Sequence, residues 1–246
     1  MAGKGVPRSD GDPDAGHDPG ESADRTTPLQ ALGVIASQEV AITASFRHLE
    51  LYTMRGLVTI LWHGTGDERV AVVACGGAMG GLLGPAEGLY HHLGVELARD
   101  HAIGVLRVSY RRPNDMDSCC LDLAAAVQLA VGNGADRVVL WGHSFGGAVA
   151  IRVAVAMPDM VAGVVTFATQ SAGCEIAGGL AGRPLLLFHG DRDEILPVDA
   201  SAIVREIAGD GELVVLPGDG HLLAKSGAVL RERLLAWVPA VLNPAG

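Results

Sequence analysis

The sequence predicts a single α/β domain in which helices cover both faces of a mostly parallel central sheet of about eight strands. Short apolar runs alternate with longer amphipathic segments along the chain, and the residues are 49% hydrophobic but only 4% aromatic. Strand–helix alternation is typical of parallel sheets with right-handed crossovers. Small aliphatic side chains let helices pack closely on such a sheet. A chain of 246 residues is long enough to bury one core of this kind.

Six apolar runs are predicted to form strands buried on both faces, with four helices between them and a fifth after the last strand. Ahead of these, apolar and polar residues alternate around Val40 and Ile42, as in a half-buried strand. Two further strands follow at 49–53 and 57–62, and their short connections predict antiparallel pairing of these N-terminal strands. The six buried strands are predicted at 70–75, 103–110, 137–141, 161–168, 184–189 and 212–216, and the helices at 87–99, 119–131, 145–157, 198–208 and 222–238.

The first 28 residues differ in composition from the rest of the chain. They are rich in Gly, Asp, Pro and Ser and offer few apolar side chains to bury, so they cannot offset the entropy lost on ordering. We therefore predict a disordered tail over 1–28 and one folded domain over 29–246. The tail lacks the apolar segment of a signal peptide, and no apolar run reaches the roughly 18–20 residues of a membrane span.

Charge and cysteine content narrow the expected partners and location. The formal net charge of −10 at pH 7 argues against nucleic acid and against an anionic membrane surface as partners. The four cysteines contain no C-x-x-C pair, which favours reduced thiols and a cytoplasmic location.

A G-x-S-x-G motif, Gly142-His143-Ser144-Phe145-Gly146, follows the predicted strand 137–141 and opens a helix rich in small residues. In this setting the serine lies on a sharp, strained turn that raises its hydroxyl above the sheet. The N-terminus of the helix favours developing negative charge. The motif predicts Ser144 as a nucleophile. The alternative is a glycine-rich turn with an incidental serine.

Three more motifs accompany this strand–turn–helix motif, the nucleophile elbow. They are a glycine-rich turn after strand 70–75, the segment His189-Gly190-Asp191-Arg192-Asp193, and the segment Gly218-Asp219-Gly220-His221. With them the chain resembles the α/β-hydrolase superfamily over about residues 38–242. It is most similar to the lidless esterases and dienelactone-hydrolase-like serine hydrolases. The resemblance implies an α/β-hydrolase fold without a lid domain.

The general base is expected to be His221. A serine hydroxyl is a poor nucleophile until an imidazole accepts its proton, and His221 lies in the loop between the last predicted strand and the last helix. The resemblance places the catalytic histidine at this position, in the chain order serine, acid, histidine. His143 is expected to point away from the nucleophile and serve packing, and His189 to brace the loop that follows it.

Two carboxylates compete to orient the base. The resemblance favours Asp193, three residues after the glycine of a His-Gly-x-x-Asp turn. Asp191 is then a turn residue that accepts backbone hydrogen bonds. Asp219 is expected to shape its loop.

The oxyanion hole is expected to use two backbone amides, those of Phe145 and Gly77, with Ala78 as the alternative to Gly77. The chain has Cys75 where the similar proteins commonly have a histidine, which is usually structural. The glycine-rich turn could instead serve tight packing alone.

Few residues of the sequence point to the substrate. Arg111, with Arg112, follows strand 103–110 at the edge of the sheet where Ser144 is expected, and could clamp a substrate carboxylate. The alternative is that the arginine serves the fold. Met79 could supply an apolar pocket wall or cover the core. The segment 169–182 is too short and too rich in Gly and Ala for a helical lid, which favours small soluble substrates.

These features predict a serine hydrolase that cleaves a small-molecule ester, lactone or thioester through an acyl-enzyme, and an acyl group on a carrier arm could also reach the serine. Nothing in the sequence calls for a metal or an organic cofactor. One alternative is a cyclase or acyltransferase that uses the same acyl-enzyme in biosynthesis. Another is a non-catalytic binding protein that keeps the fold.

Overall fold

The computed structural model describes residues 26–243, which form one nine-stranded sheet with helices on both faces. The predicted tail up to residue 25 lies outside the described residues. The strands are β1 (Val34–Thr43), β2 (Phe46–Thr53), β3 (Gly56–His63), β4 (Val70–Cys75), β5 (Ile103–Ser109), β6 (Arg137–His143), β7 (Val161–Phe167), β8 (Leu185–Gly190) and β9 (Glu212–Leu216). The α-helices are α1 (Pro28–Leu32), α2 (Leu89–His101), α3 (Met116–Gly132), α4 (Phe145–Ala156), α5 (Val198–Ala208) and α6 (Gly227–Leu242), and a 3₁₀ turn spans Ala177–Leu180.

The strand order is β1-β2-β3-β5-β4-β6-β7-β8-β9. The first three strands pair antiparallel, and β3 also pairs antiparallel with β5, whereas every later pair is parallel. Helices α3, α4 and α5 pack on one face of the sheet and α2 and α6 on the other. The predicted fold class is confirmed. Because β4, β6, β8 and β9 run parallel, the loops that follow them meet at one edge of the sheet.

The central strands are buried on both faces because helices cover each side. Strands β4, β7 and β8 are buried at every residue, as their continuous apolar runs predict. The fully buried aliphatic side chains Val73 and Leu140 contribute to one core layer, and Leu93 and Leu234 to the other.

Strand β1 contradicts the expectation of a half-buried strand. Val40 and Ile42 are 47% and 53% exposed, and nine of its ten residues are exposed. Among the described residues, the strand lies at the end of the sheet and pairs only with β2. An alternating pattern indicates a strand, but burial of one face requires a covering element. Strand β9, at the other edge, is likewise more exposed than predicted.

Helices α1 and α6 differ most from the sequence prediction. Helix α1 falls partly within the predicted tail, since Pro28 is its first residue and Thr27 caps it by accepting a hydrogen bond from the Gln30 N–H. A helix of five residues is too short to show a 3.6-residue period. Helix α6 begins at Gly227 rather than 222, because the Asp219 carboxylate accepts hydrogen bonds from the Lys225 N–H and extends the loop.

No helix within residues 26–243 combines the length and the apolar composition needed to cross a membrane.

Candidate active site

Ser144 lies on the turn between β6 and α4 with φ 56° and ψ −119°. A positive φ is strained for a residue with a side chain and persists only where the surroundings hold it. Two backbone hydrogen bonds do so here. The Ser144 N–H donates to the Phe167 carbonyl at 2.8 Å, and the Gly147 N–H donates to the Ser144 carbonyl at 3.0 Å. This conformation is that of the predicted nucleophile elbow.

Glycines allow the elbow to pack against the turn after β4. A Cβ on Gly142 would overlap the Gly146 carbonyl oxygen, and a Cβ on Gly146 would overlap that of Gly76. In both cases the obstacle is backbone, which cannot rotate away. The absence of these side chains lets the end of β6, the start of α4 and the turn after β4 approach one another closely.

The two expected oxyanion-hole residues lie on either side of Ser144. Phe145 is the first residue of α4, so its N–H has no intrahelical acceptor. A Cβ on Gly77 would lie 3.5 Å from the Ser144 Cβ, which puts the Gly77 backbone against the serine. The Gly80 N–H donates to the Gly77 carbonyl at 2.9 Å and closes the glycine-rich turn. Tyr110 Oη donates to the Gly76 carbonyl at 3.3 Å and fixes the start of this turn.

Cys75, the residue noted above as a departure from the resemblance, is the last residue of β4. Its Sγ donates to the Trp141 carbonyl at 3.4 Å, and the side chain is buried. Burial raises the pKa of the Cys75 thiol to about 12, so the thiol stays protonated. Cys75 is a packing residue under the turn.

The expected base and acid are hydrogen-bonded to each other. His221 Nδ1 lies 2.7 Å from Asp193 Oδ2. Because a carboxylate accepts hydrogen bonds, Nδ1 carries the proton, and Nε2 of the neutral ring is free to accept one. Asp193 Oδ1 accepts from the Ile195 and Leu196 N–H groups at 2.8 and 2.9 Å. Burial by itself raises the pKa of Asp193, but the hydrogen bonds from Leu196, His221 and Ile195 outweigh it and hold the pKa below its ordinary value.

The two other aspartates considered for the acid, Asp191 and Asp219, accept hydrogen bonds from backbone N–H groups. Asp191 Oδ1 accepts from the Gly218 N–H at 2.6 Å and ties the loop after β9 to the loop after β8. Asp219 Oδ1 accepts from the Gly220 N–H at 3.0 Å. Both contacts agree with the loop-forming roles expected of these residues.

His189 braces the acid loop, as expected. Its Nε2 lies 3.0 Å from the Leu196 carbonyl and 3.2 Å from Asp193 Oδ2, while its Nδ1 lies 2.7 Å from Ser201 Oγ. The ring is fully buried. It connects the end of β8 to the residues that hold the Asp193 carboxylate.

Comparisons with known proteins bear on the family and the fold of the chain. The model of the family described as Phospholipase/Carboxylesterase matches residues 123–226, a segment that contains Ser144, Asp193 and His221. No curated protein sequence matches the chain. Many solved structures share its fold.

Three of those structures illustrate the similarity. Dienelactone hydrolase from Anabaena variabilis superposes with a TM-score of 0.64 at 15% identity, covering 84% of this chain and 99% of its own. XC6422 from Xanthomonas campestris, described as an α/β serine hydrolase without lid, gives 0.62 at 19% identity, covering 83% and 99%. Est1E from Butyrivibrio proteoclasticus gives 0.62 at 15% identity, covering 77% and 96%. The chain has the α/β-hydrolase fold.

No helical lid covers the sheet edge at which Ser144 lies, within the part of the chain that the structure describes. The connection between β7 and β8 contains only the 3₁₀ turn Ala177–Leu180, which packs against α4 and α5. Ala177 and Leu180 are buried in that contact.

The structure contradicts the possible substrate-binding role of Arg111 and agrees with the alternative, a role in the fold. Its side chain is 4% exposed, and its Nε donates to Asp122 Oδ1 at 2.5 Å within a buried ion pair. The Arg111 N–H also donates to Asp122 Oδ2 at 2.8 Å. A guanidinium turned inward toward α3 cannot clamp a substrate, so Arg111 serves the fold. Its neighbour Arg112 is exposed.

A cavity of about 560 Å³ contains both Ser144 and His221. Met79 lines it and is 94% exposed, so this residue forms a wall of the cavity rather than covering the core. None of the described residues that line the cavity is Asp, Glu, Lys or Arg. The other large apolar side chains at its wall are those of Leu82, Leu83, Ile195 and Leu222.

Sequence reasoning missed Ile195, Leu222 and the role of His143. Ile195 comes two residues after the expected acid, and Leu222 comes directly after the expected base. This closeness in sequence is the signal that could have identified them. His143 was expected to serve packing alone. Its ring lines the same cavity as Ser144, and its Nε2 lies 3.0 Å from the His221 carbonyl oxygen.

Because two histidines are buried, we predict that the protein loses stability in mild acid. Burial lowers the pKa of His143 to about 4, and burial together with the charge of Arg107 lowers the pKa of His63 to about 3, both from 6.5. The unfolded chain therefore binds protons at these positions below pH 6.5 while the folded protein does not. The free energy of unfolding should fall as the pH drops from 6.5 toward 4.

Urea unfolding followed by circular dichroism, repeated at about pH 7.5, 6.5 and 5.5, measures this dependence. The His143→Gln variant, which lacks one titrating group, should show a shallower decline over the same range. A free energy of unfolding that stays constant from about pH 7.5 to 5.5 would contradict the prediction.

Proposed function

We propose that this α/β-hydrolase cleaves small esters, lactones or thioesters with an uncharged, largely apolar acyl group, through an acyl-enzyme on Ser144. The observation that carries the proposal is a serine on a strained elbow in the same cavity as a histidine whose Nδ1 is hydrogen-bonded to a buried carboxylate. The match to a family of phospholipases and carboxylesterases supports the ester class.

In the proposed reaction His221 Nε2 takes the proton of Ser144 as Oγ attacks the carbonyl carbon. The carbonyl π electrons move to oxygen, and the amides of Phe145 and Gly77 stabilise the oxyanion. When the intermediate collapses, the bond to the leaving oxygen or sulfur breaks and His221 returns the proton to that atom. A water molecule, deprotonated by His221, then hydrolyses the acyl-enzyme by the same steps. Asp193 holds the His221 tautomer and stabilises the imidazolium.

The walls of the cavity support the choice of acyl group. Met79, Leu83, Ile195 and Leu222 present apolar surface beside the serine, and Arg111, the arginine expected to bind a carboxylate, is engaged with Asp122. Burying an unpaired carboxylate against such a wall is costly. The dienelactone hydrolase to which the chain is similar supports esters and lactones as a class.

Labelling with a fluorophosphonate tests the nucleophile. We expect one adduct, at Ser144, because the probe requires a serine activated by a base and an oxyanion hole. Peptide mass spectrometry locates the adduct, and the Ser144→Ala variant, shown to be folded by circular dichroism, is the control. Folded protein that takes up no probe, or takes it up at another residue, would favour a binding protein that has kept only the fold.

The acid is tested by a matched pair of substitutions in one loop. Asp193→Asn should lower kcat at least about 10²-fold, because an amide neither fixes the His221 tautomer nor stabilises the imidazolium; the equivalent change in a serine-protease triad costs about 10⁴. Asp191→Asn should change kcat little and lower thermal stability, since it weakens only the contact to the Gly218 N–H.

Both aspartate variants must keep the circular dichroism spectrum of the wild type. If Asp191→Asn proved the more damaging to kcat, the assignment of the acid would be wrong.

The preference for an uncharged acyl group is tested with chromogenic esters of similar length. The kcat/KM for a p-nitrophenyl pentanoate should exceed that for the hemisuccinate, which carries a carboxylate, by at least about tenfold, equivalent to about 1.4 kcal/mol. Met79→Lys should narrow this ratio by placing a cation on the wall, whereas Met79→Gln should not. Equal kcat/KM values for the two esters in the wild type would overturn the preference.

A further inference from the structure

The histidine of the elbow, His143, contacts the loop of the expected base. Its Nε2 lies 3.0 Å from the main-chain oxygen of His221. A carbonyl oxygen only accepts hydrogen bonds, so Nε2 carries the proton and donates it, which leaves Nδ1 unprotonated in the neutral ring. On that side, a Cβ on Gly77 would lie 3.5 Å from His143 Nδ1. The ring is therefore wedged between the glycine-rich turn and the loop after β9.

We propose that His143 is a positioning residue that holds His221 over Ser144 by anchoring the main chain of the base to the elbow. The inference rests on the proposed function, since it assigns His143 a task within that site. His143 and Ser144 are neighbours at the end of β6, so one strand end fixes both the nucleophile and the carbonyl of the base.

The loop that carries His221 turns sharply and is held at several points. Gly218 has φ +73° and Leu223 has φ +51°, so the backbone makes tight turns on both sides of the base. Asp191 holds the loop at Gly218, and the Ala86 N–H donates to the Leu222 carbonyl at 2.8 Å. At His221 itself, Asp193 holds the ring and His143 holds the main chain. Two fixed points, one on the backbone and one at Nδ1, determine where Nε2 lies.

The donor at this position also has to be neutral. The ring centroids of His143 and His221 are 5.0 Å apart, so a cation at position 143 would oppose the imidazolium that forms on His221 during attack. Burial lowers the pKa of His143 to about 4, against the hydrogen bond to His221 and the charge of Asp193, which raise it. His143 therefore donates without carrying charge near neutral pH.

A matched pair of variants separates the hydrogen bond from packing. His143→Gln keeps a neutral N–H donor at about the reach of Nε2, and His143→Met has a similar length without a donor. We expect His143→Met to lower kcat at least about tenfold with KM within about twofold, because small displacements of a catalytic group are costly. His143→Gln should retain kcat within about threefold. Thermal unfolding checks that both variants fold.

A second measurement is independent of turnover. The Nδ1 proton of His221, hydrogen-bonded to Asp193, should give a low-field NMR signal in the wild type and in His143→Gln. In His143→Met that signal should broaden through exchange with water. Equal kcat and equal spectra in all three proteins would overturn the proposal. So would equal losses of kcat in the Gln and Met variants, because packing alone would then explain them.

The NMR result also separates this inference from the proposed function. If the wild type hydrolyses no ester and takes up no fluorophosphonate, the proposed function fails. The spectra would still decide whether His143 orders the His221 ring.

Discussion

The contact among three backbone segments at Gly76, Gly142 and Gly146 is the constraint on which the site depends. A side chain at Gly142 or Gly146 would collide with a neighbouring carbonyl, so the approach exists only because these residues have no Cβ. It brings the turn after β4 against the elbow, places the Gly77 backbone beside Ser144, and leaves room for the strained serine. The strain is held by the Phe167 carbonyl on the adjacent strand, so the central sheet stabilises the geometry that exposes the hydroxyl.

Three histidines around the site differ in function because they differ in hydrogen-bond partner. His189 is buried between Ser201 and Leu196 and steadies the acid loop. His143 donates to the main chain of the base, and His221 binds the carboxylate through Nδ1. Where a ring nitrogen faces a carbonyl or a carboxylate, the acceptor fixes which nitrogen carries the proton. The tautomers of His143 and His221 thus follow from the surrounding oxygens.

The cavity is open because no lid covers it within residues 26–243. The connection between β7 and β8 is a short 3₁₀ segment packed against α4 and α5, and the apolar side chains of Met79, Ile195 and Leu222 consequently reach solvent beside the serine. Exposed apolar groups gathered at one concave surface are typical of binding sites. The Arg111 side chain points away from the cavity and forms a buried ion pair with Asp122. Loss of the arginine would leave the buried Asp122 carboxylate unpaired.

The sequence by itself determined the order of the strands and of helices α2 to α6, because doubly buried strands appear as unbroken apolar runs and the elbow is a local motif in which each residue type has a steric reason. It also singled out the His221–Asp193 pair, which the structure joins by a hydrogen bond, through the resemblance and the chain order of the motifs. Tertiary structure alone decided the exposure of β1, the inward turn of Arg111 and the contact from His143 to His221. Each of these depends on an element distant in sequence. Asp122 comes from α3, the His221 carbonyl is 78 residues away from His143, and among residues 26–243 no helix covers β1. Local patterns specify backbone conformation, whereas the partner of a side chain depends on how distant elements pack.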